Sequence, residues 1–270
     1  PSASLNTMVG QVVRHQKTKV MKLFKFTLLA VFFSAGIHAQ EDYTKSLEGI
    51  EWVKIESKGN IKVKTHSNDQ LLIKGGKAYK IPERAKGLRL LGPGGSDNTD
   101  VGFSVIKEGN SLLVRNLRKS EDAEIYLPAD QNISVKSTWH GQIEISGFLG
   151  EIEANAELNG GISVENVSGP LTANTLNGEI EVTFVKVSQD SPITVYSTNG
   201  ALDISMPGDT PADLRLGTTN GEIYTNFEIS FPEKDGLRAI ASKKVKGSIN
   251  QGGVDINLKT TNGNIYLRKE

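Results

Sequence analysis

The sequence predicts an all-β fold, a single-chain β-solenoid of the β-helix type with two short strands in each coil of about 20 residues. Three observations lead to this class. Apolar and polar residues alternate with a period of two, the alternating stretches end at Gly or Asn-Gly turns, and a short unit recurs along the chain. An apolar period of about 3.6 residues, which would indicate helices, is almost absent.

The recurring unit is a glycine, any residue, an aliphatic residue, a polar residue and a second aliphatic residue. Its copies, some of them incomplete, begin at Gly59, Gly141, Gly161, Gly178, Gly200, Gly221 and Gly263. Turn glycines at 141, 150, 160, 169 and 178 are nine or ten residues apart, and those at 200, 221 and 263 follow at spacings of 22, 21 and 42. Turns at half of a period of about 20 residues predict a flattened coil with two strands. Glycine and asparagine suit its corners because they adopt positive φ at little cost.

Alternation also predicts which side chains face the interior, because successive residues of a strand point to opposite faces. The aliphatic side chains should stack as one interior ladder, made of Ile143, Ile145, Ile162, Val164, Ile180, Val182, Leu202, Ile204, Ile223, Ile265 and Leu267. Such a ladder is stable only when neighbouring coils cover one another. The alternative is an antiparallel β-sandwich built from hairpins, since Asn-Gly is a strong hairpin signal.

Four segments are predicted along the chain. Residues 1–20 begin with proline instead of methionine and are interpreted as a non-native or upstream extension. Residues 21–39 have the features of a signal peptide, with Lys22 and Lys25 followed by an apolar run and then by Ala39. Residues 40–126 are interpreted as an irregular N-terminal β region or cap, and residues 127–270 as the solenoid repeat. The protein is therefore expected to be exported to the periplasm, the cell surface or the extracellular medium.

The composition of the exported part, residues 40–270, excludes several classes of protein. Residues 1–39 contain five basic side chains and no acidic one, so 26 basic and 31 acidic side chains remain, a net charge of about −5. An acidic chain gives no reason to expect nucleic-acid binding. The lack of cysteine excludes a disulfide framework and a lipid anchor on an N-terminal cysteine. No transmembrane segment is expected in the mature chain, because no long apolar run follows the signal peptide.

Two six-residue segments, Thr-Thr-Asn-Gly-Glu-Ile at 218–223 and Thr-Thr-Asn-Gly-Asn-Ile at 260–265, carry a family likeness. Leu127-Pro128 and Met206-Pro207, ahead of glycine-rich turns, add to it. In these features the sequence resembles the putative-adhesin β-strand-repeat family of exported bacterial proteins, well over residues 130–270 and loosely over 41–129. The resemblance implies an extracytoplasmic β-solenoid with a role in adhesion or at the envelope. It implies no catalytic motif and no cofactor.

Three aromatic residues are candidate ligand-binding residues. Tyr224 and Tyr266 occupy matching outward positions in their repeat units, and Trp139 stands just before the turn at Gly141. Exposed aromatic rings stack on sugars or fill the pockets of a protein partner. They also pack along strands for purely structural reasons. Both interpretations are open from the sequence.

Two acidic residues are candidate metal ligands. Glu181 and Asp203 have equivalent outward positions, so neighbouring coils would place their strands about 4.8 Å apart. A carboxylate pair of this kind is able to bind a divalent cation or to act in polysaccharide cleavage. The alternative is a solvated acidic face with the side chains splayed apart. If coils stack in chain order, the outward row runs through Glu144, Ser163, Glu181, Asp203 and Tyr224.

These observations predict a non-catalytic protein of the envelope or cell surface, an adhesin or binding scaffold that presents a solenoid face. Its expected partner is an envelope polysaccharide or a surface protein. No catalytic residue is predicted, because residues 40–270 contain two histidines, no cysteine, and neither a nucleophile elbow nor a phosphate-binding loop. Two alternatives remain: a sensing or regulatory envelope protein that binds a membrane partner, and a polysaccharide-active enzyme.

Overall fold

A computed structural model describes residues 42–75, 82–89, 91–92, 95–118, 121–234, 237–238 and 243–270. The predicted extension at 1–20 and the predicted signal peptide at 21–39 lie outside the described residues. Within the described ranges, helical structure is limited to a short 3-10 turn at Glu83–Ala85. None of these residues forms a helix with the length and apolar character needed to cross a membrane.

The described residues form 24 strands. The first twelve are β1 (Tyr43–Ser46), β2 (Trp52–Ser57), β3 (Ile61–His66), β4 (Gln70–Ile73), β5 (Leu91–Gly92), β6 (Gly95–Ser96), β7 (Phe103–Glu108), β8 (Ser111–Asn116), β9 (Ala123–Pro128), β10 (Asn132–Ser137), β11 (Ile143–Ser146) and β12 (Ile152–Asn159). The others are β13 (Ile162–Val167), β14 (Leu171–Asn177), β15 (Ile180–Phe184), β16 (Ile193–Asn199), β17 (Leu202–Met206), β18 (Ala212–Asn220), β19 (Ile223–Thr225), β20 (Glu233–Lys234), β21 (Leu237–Arg238), β22 (Lys244–Ile249), β23 (Val254–Asn262) and β24 (Ile265–Lys269).

Two long sheets contain most of these strands. The first sheet has ten strands in the order β1-β4-β9-β3-β11-β13-β15-β17-β24-β19. The second sheet also has ten, in the order β22-β18-β23-β16-β14-β12-β10-β2-β8-β7. The remaining strands form the two-stranded pairs β5–β6 and β20–β21. Between β10 and β17 the chain therefore passes back and forth, with even-numbered strands in the second sheet and odd-numbered strands in the first.

Neighbouring strands of this repeat region pair in parallel. Ile133 lies opposite Ile152, and Ile152 lies opposite Leu171, 19 residues further along the chain in each case. The predicted all-β class, with two long sheets of parallel strands, is confirmed. The alternative of an antiparallel sandwich is wrong for this region, because its Asn-Gly corners join strands of different sheets and not hydrogen-bonded neighbours.

The buried side chains of the two sheets form one hydrophobic core. Along β12, for example, Ile152, Ala154 and Ala156 are buried, while the residues between them are exposed. Every member of the predicted interior ladder is buried except Ile223, which is partly buried and packs against the core. Ile223 is less covered because β19 is the last strand of the first sheet. Each fully buried isoleucine stabilises the fold by about 1.5–3 kcal/mol relative to exposure.

The last two long strands of the chain lie inside the stack and not at its end. β24 pairs with β17 on one side and with β19 on the other. β23 is likewise placed between β16 and β18. β22, which precedes β23 in the chain, runs antiparallel to β18 and covers the outer edge of the second sheet. β23 then lies on the inner side of β18, next to β16. The outward row predicted from chain order is therefore wrong at its end, where Asp203 is followed by Tyr266 and only then by Tyr224.

The first strands are also placed out of chain order. β2 lies between β8 and β10, and β3 lies between β9 and β11. Beyond β8 and β9, the two sheets end in antiparallel strands, β7 in the second sheet and β4 followed by β1 in the first. Apart from β5 and β6, which pair only with each other, the described strands of segment 40–126 thus join the same two sheets and the same core as the repeat region.

Glycines stack closely at the corner where the chain leaves the second sheet. A Cβ atom on Gly200 would lie 1.8 Å from the carbonyl oxygen of Gly178, and one on Gly263 would lie 2.1 Å from that of Gly200. No side chain fits at such distances, so this corner requires glycine. Hydroxyl groups complete it: Ser197 donates to the Gly178 carbonyl at 3.0 Å, and Thr260 donates to the Gly200 carbonyl at 2.9 Å.

An asparagine ladder runs along the same corner, one residue before the glycines. It consists of Asn159, Asn177, Asn199, Asn262 and Asn220, in their order along the stack. Each amide nitrogen donates to the amide oxygen of the preceding residue in this order, at distances between 2.7 and 3.1 Å. These side chains therefore hydrogen-bond one another from strand to strand of the second sheet, which supports a structural role.

Candidate functional site

Charged side chains on the outer face of the first sheet form ion pairs across neighbouring strands. The ammonium group of Lys62 on β3 lies 2.7 Å from the carboxylate of Glu144 on β11. Arg268 on β24 donates two hydrogen bonds, of 2.7 and 2.8 Å, to the carboxylate of Asp203 on β17. These pairs are exposed, so they contribute little to stability, but they neutralise part of the acidic face.

The two predicted metal ligands on this face lie on adjacent strands. Glu181 on β15 is directly opposite Asp203 on β17, as their equivalent positions predict. Asp203 is bound by Arg268, a pairing that the chain-order row does not predict. Glu179 lies at the preceding corner with its side chain exposed, and its pKa is raised first by partial desolvation and then by the charges of Glu181 and Asp203. Among the described residues, no three histidine or acidic side chains form a group that could hold a metal ion, and the predicted site stays a prediction.

Two of the predicted aromatic residues form a stacked pair near the end of the first sheet. Tyr224 on β19 and Tyr266 on β24 are opposite each other, with ring centroids 5.3 Å apart and planes at 11°. Tyr224 is 52% exposed and Tyr266 is half-buried. Asn264 donates a hydrogen bond of 2.9 Å to the Tyr266 hydroxyl, and the Arg268 guanidinium lies 5.4 Å from its ring centroid. The chain thus orients one ring while leaving the other accessible.

The third predicted aromatic residue lies elsewhere. Trp139 follows β10 at the corner and is 56% exposed. Its ring meets the edge of His140, with centroids 5.1 Å apart and planes at 86°. His140 Nδ1 lies 3.1 Å from the amide nitrogen of Asn159, so this corner adjoins the start of the asparagine ladder. Trp139 precedes β11, which is four strands from β24 in the first sheet, and the structure does not bring it to the tyrosine pair.

The second sheet has an uncharged area on its outer face that the candidate residues from sequence do not include. β14 and β16, which are neighbours, contain no charged residue. Their half-buried outward side chains Thr172, Asn174, Thr194 and Tyr196 form what we call the polar strip, with Thr172 opposite Thr194 and Asn174 opposite Tyr196. The signal in the sequence is that two repeat strands, which follow each other within the second sheet, have no charged residue in a chain with 23% charged residues.

Charged residues begin on the strands that flank the polar strip. Glu153 is an outward residue of β12, and Lys259 is an outward residue of β23 that lies opposite Tyr196. The Lys259 ammonium group is 5.8 Å from the centroid of the Tyr196 ring. Hydrogen bonds to Tyr196 from Thr198, and next from Thr261, lower the pKa of its phenol group. The tyrosine is therefore positioned by its own strand, β16, and by one neighbouring strand, β23.

Comparison with solved structures gives two distant similarities. A putative cell adhesion protein from Clostridium sporogenes is 10% identical and has a TM-score of 0.45, over 85% of this chain and 99% of the other. A putative adhesin from Bacteroides fragilis is 12% identical and has a TM-score of 0.36, over 86% of this chain and 98% of the other.

Sequence comparison identifies the family. No curated protein matches the chain. The model of the family described as Toastrack DUF4097 matches residues 131–268, which contain the recurring glycine and aliphatic units. The match confirms the family resemblance that the repeat motifs predict. The chain belongs to the Toastrack DUF4097 family.

Proposed function

We propose that this protein is a non-catalytic binding scaffold, exported to the cell envelope or surface, whose partner is an envelope polysaccharide or a surface protein. The repeat region acts as a β-solenoid with two strands per coil of about 20 residues. Each added coil extends the outer faces by about 4.8 Å, so a stack of coils offers a long, rigid surface to an extended ligand.

The observation that carries this proposal is the stacked pair of Tyr224 and Tyr266. An aromatic ring that is 52% exposed offers a large apolar face at low entropic cost. The Tyr266 ring stacks against the exposed Tyr224 ring with centroids 5.3 Å apart, and a hydrogen bond from Asn264 holds the Tyr266 hydroxyl. Preorganised aromatic side chains of this kind are typical anchors for a sugar ring or for a protein partner.

The carboxylates of the same face support a non-catalytic role. Hydrolysis of a glycosidic bond uses two carboxyl groups, one as acid and the other as base or nucleophile. Asp203 faces Glu181, but both of its oxygens accept hydrogen bonds from Arg268. A carboxylate whose two oxygens are held by a guanidinium group is not free to bind a water molecule or a sugar.

A retention experiment tests the proposal. The purified protein is immobilised and mixed with intact cells, envelope fractions and a panel of polysaccharides, and the supernatant is analysed for released sugar. We expect retention of at least one fraction and no release of sugar. The double variant Tyr224→Ser/Tyr266→Ser should retain that fraction at least roughly tenfold more weakly, because it removes both rings.

The matched control is Tyr126→Ser, which removes an outward tyrosine of β9 near the other end of the first sheet. It should bind as the unchanged protein does. Trp139→Ser is measured separately, since this residue lies at a distant corner. Equal retention by the folded double variant and the unchanged protein contradicts a role of the tyrosine pair, and release of sugar contradicts a non-catalytic function.

A further inference from the structure

We infer that the polar strip on the second sheet binds a neutral polysaccharide, with the sugar chain running across β14 and β16 along the stack. The inference rests on the proposed binding function and names the ligand class for a surface other than the tyrosine pair. The strip comprises Thr172, Asn174, Thr194 and Tyr196, and Asn155 on β12 and Asn257 on β23 extend it on either side.

The charge distribution selects an uncharged ligand. β14 and β16 lack charged residues, whereas ion pairs lie further out on the same face. Lys136 pairs with Glu157 at 2.6 Å on one side, and Arg215 pairs with Asp255 at 3.0 Å on the other. The strip itself offers no charge to an acidic or sulfated polysaccharide, and the two charges directly beside it, those of Glu153 and Lys259, are of opposite sign. A neutral polysaccharide needs no opposite charge to replace the water that it loses.

The asparagines of this area differ from those of the asparagine ladder in their hydrogen bonds. Asn155 and Asn174 lie opposite each other, as ladder asparagines do. Within the described part of the chain, the side-chain amides of Asn155, Asn174 and Asn257 nevertheless make no hydrogen bond to another protein group. Ladder amides such as that of Asn199 donate and accept at 2.7 Å. The outer-face amides therefore keep donors and acceptors that are free for a ligand.

The kinds of groups on the strip match the hydroxyl groups of a sugar chain. Amide and hydroxyl side chains both donate and accept hydrogen bonds, as sugar hydroxyls do. The strands repeat at about 4.8 Å, close to the length of one pyranose unit in an extended chain. A polysaccharide that runs across the strands would therefore meet polar side chains on each successive strand, such as Asn155, then Asn174, then Tyr196.

Apolar contacts are available beside these polar groups. The Tyr196 ring lies on the outer face between Asn174 and Lys259. Near the corner, Leu176 is 41% exposed and Leu158 is 37% exposed. Sugar rings have apolar faces that pack against aromatic and aliphatic side chains, while their hydroxyl groups bond to amides at the edges.

Affinity electrophoresis of the purified protein tests this inference. Native gels contain an uncharged polymer (laminarin, hydroxyethylcellulose, galactomannan or dextran) or an anionic one (alginate, polygalacturonate or chondroitin sulfate). We expect retardation by at least one uncharged polymer and not by the anionic ones. Retardation should persist in high salt, because salt screens charge interactions and not hydrogen bonds between neutral groups.

The double variant Asn174→Ala/Thr194→Ala should weaken the retardation roughly tenfold or more, since it removes two ligand hydrogen bonds. Neither side chain is buried, so the variant should unfold at the temperature of the unchanged protein. The matched control, Ser163→Ala/Thr183→Ala, makes the same kind of truncation on the outer face of the first sheet. It should leave the retardation unchanged.

Three outcomes overturn the inference: no retardation by any uncharged polymer, retardation by anionic polymers only, or equal retardation of the double variant and the unchanged protein. Failure of this inference is distinguishable from failure of the proposed function. If envelope fractions retain the protein through Tyr224 and Tyr266 but no neutral polymer does, the scaffold function stands and the strip is not its polysaccharide site.

Discussion

Arg268 binds both carboxylate oxygens of Asp203, at 2.7 and 2.8 Å, although the two residues are 65 positions apart in the chain. The contact exists because β24 pairs directly with β17. Three strands that precede β24 in the chain lie at or next to the edges of the sheets: β19 is the last strand of the first sheet, and β22 and β18 are the outermost two strands of the second sheet. The last strand of the protein is therefore an interior strand, which has consequences for stability.

Ile265→Ala should destabilise the protein more than Ile223→Ala. The two residues occupy the same position of the repeat unit and lie opposite each other, but Ile265 is fully buried and Ile223 is partly buried. We expect a loss of about 2–5 kcal/mol for Ile265→Ala and of less than about 2 kcal/mol for Ile223→Ala. Chemical denaturation of the two variants measures both values. Stacking in chain order would make Ile265 the terminal residue, and the reverse ranking would contradict the insertion of β24.

The class of the fold and the inward positions could be predicted from the sequence because alternation is a local property. Ile143 and Val182 are buried, as their inward positions in the two-residue alternation of the strands predict. The order of the strands could not be predicted in this way. The corners at Gly221 and Gly263 both follow Thr-Thr-Asn, so either corner fits against Gly200 and local pattern does not distinguish them. The position of β22, a long-range contact, decides between them.

The candidate sites were predictable to different degrees. Matching repeat positions identify Tyr224 and Tyr266 as a pair, but their stacking depends on the insertion of β24. The same insertion brings Arg268 to Asp203, which no spacing in the chain indicates. The polar strip is defined by neutral side chains on two strands, and a search for charged or metal-binding residues does not detect it. Tyr196 is its aromatic member, but this residue has no matching tyrosine at the equivalent position of the neighbouring strands, where Asn174 and Lys259 lie.

Gly200→Ala should be severely destabilising. The new methyl group would lie 1.8 Å from the carbonyl oxygen of Gly178, and backbone on both sides would have to move apart. We expect a loss of at least about 3 kcal/mol. Thermal unfolding followed by circular dichroism measures it. Gly217→Ala is the control, because its methyl group would meet atoms only at 4.0 Å, and this variant should keep or slightly raise the stability. Similar losses for both variants would contradict the close corner packing.

Asn199→Ala should remove two of the hydrogen bonds between side-chain amides in the asparagine ladder. The Asn199 amide donates to Asn177 and accepts from Asn262, both at 2.7 Å. We expect a loss of about 1–2 kcal/mol in the free energy of unfolding. Asn155→Ala is the control, since this asparagine has no protein hydrogen bond within the described ranges, and its effect should stay within about 0.5 kcal/mol. The two variants also separate stability from binding: Asn155→Ala should affect only retardation by a neutral polysaccharide.

Glu179→Gln should stabilise the protein at neutral pH and have no such effect in acid. Partial desolvation, followed by the charges of Glu181 and Asp203, raises the pKa of Glu179 above its ordinary value of 4.5. The folded protein therefore binds a proton more tightly than the unfolded chain, and stability falls as the pH rises from 4.5 through the raised pKa. Below 4.5 both states are protonated and the cost of the charge disappears. Glutamine has no charge at any pH, so the variant avoids this loss.

The measurement is the unfolding temperature of Glu179→Gln and of the unchanged protein across the acidic to neutral range. The unfolding temperature of the variant should rise above that of the unchanged protein as the pH rises above 4.5, and the difference should then reach a plateau. Glu222→Gln, the same substitution before Ile223 at the equivalent position of the repeat unit, is the matched control for the substitution itself. A Glu179→Gln variant that is stabilised equally at every pH, or destabilised at neutral pH, would contradict a raised pKa of Glu179 in the folded protein.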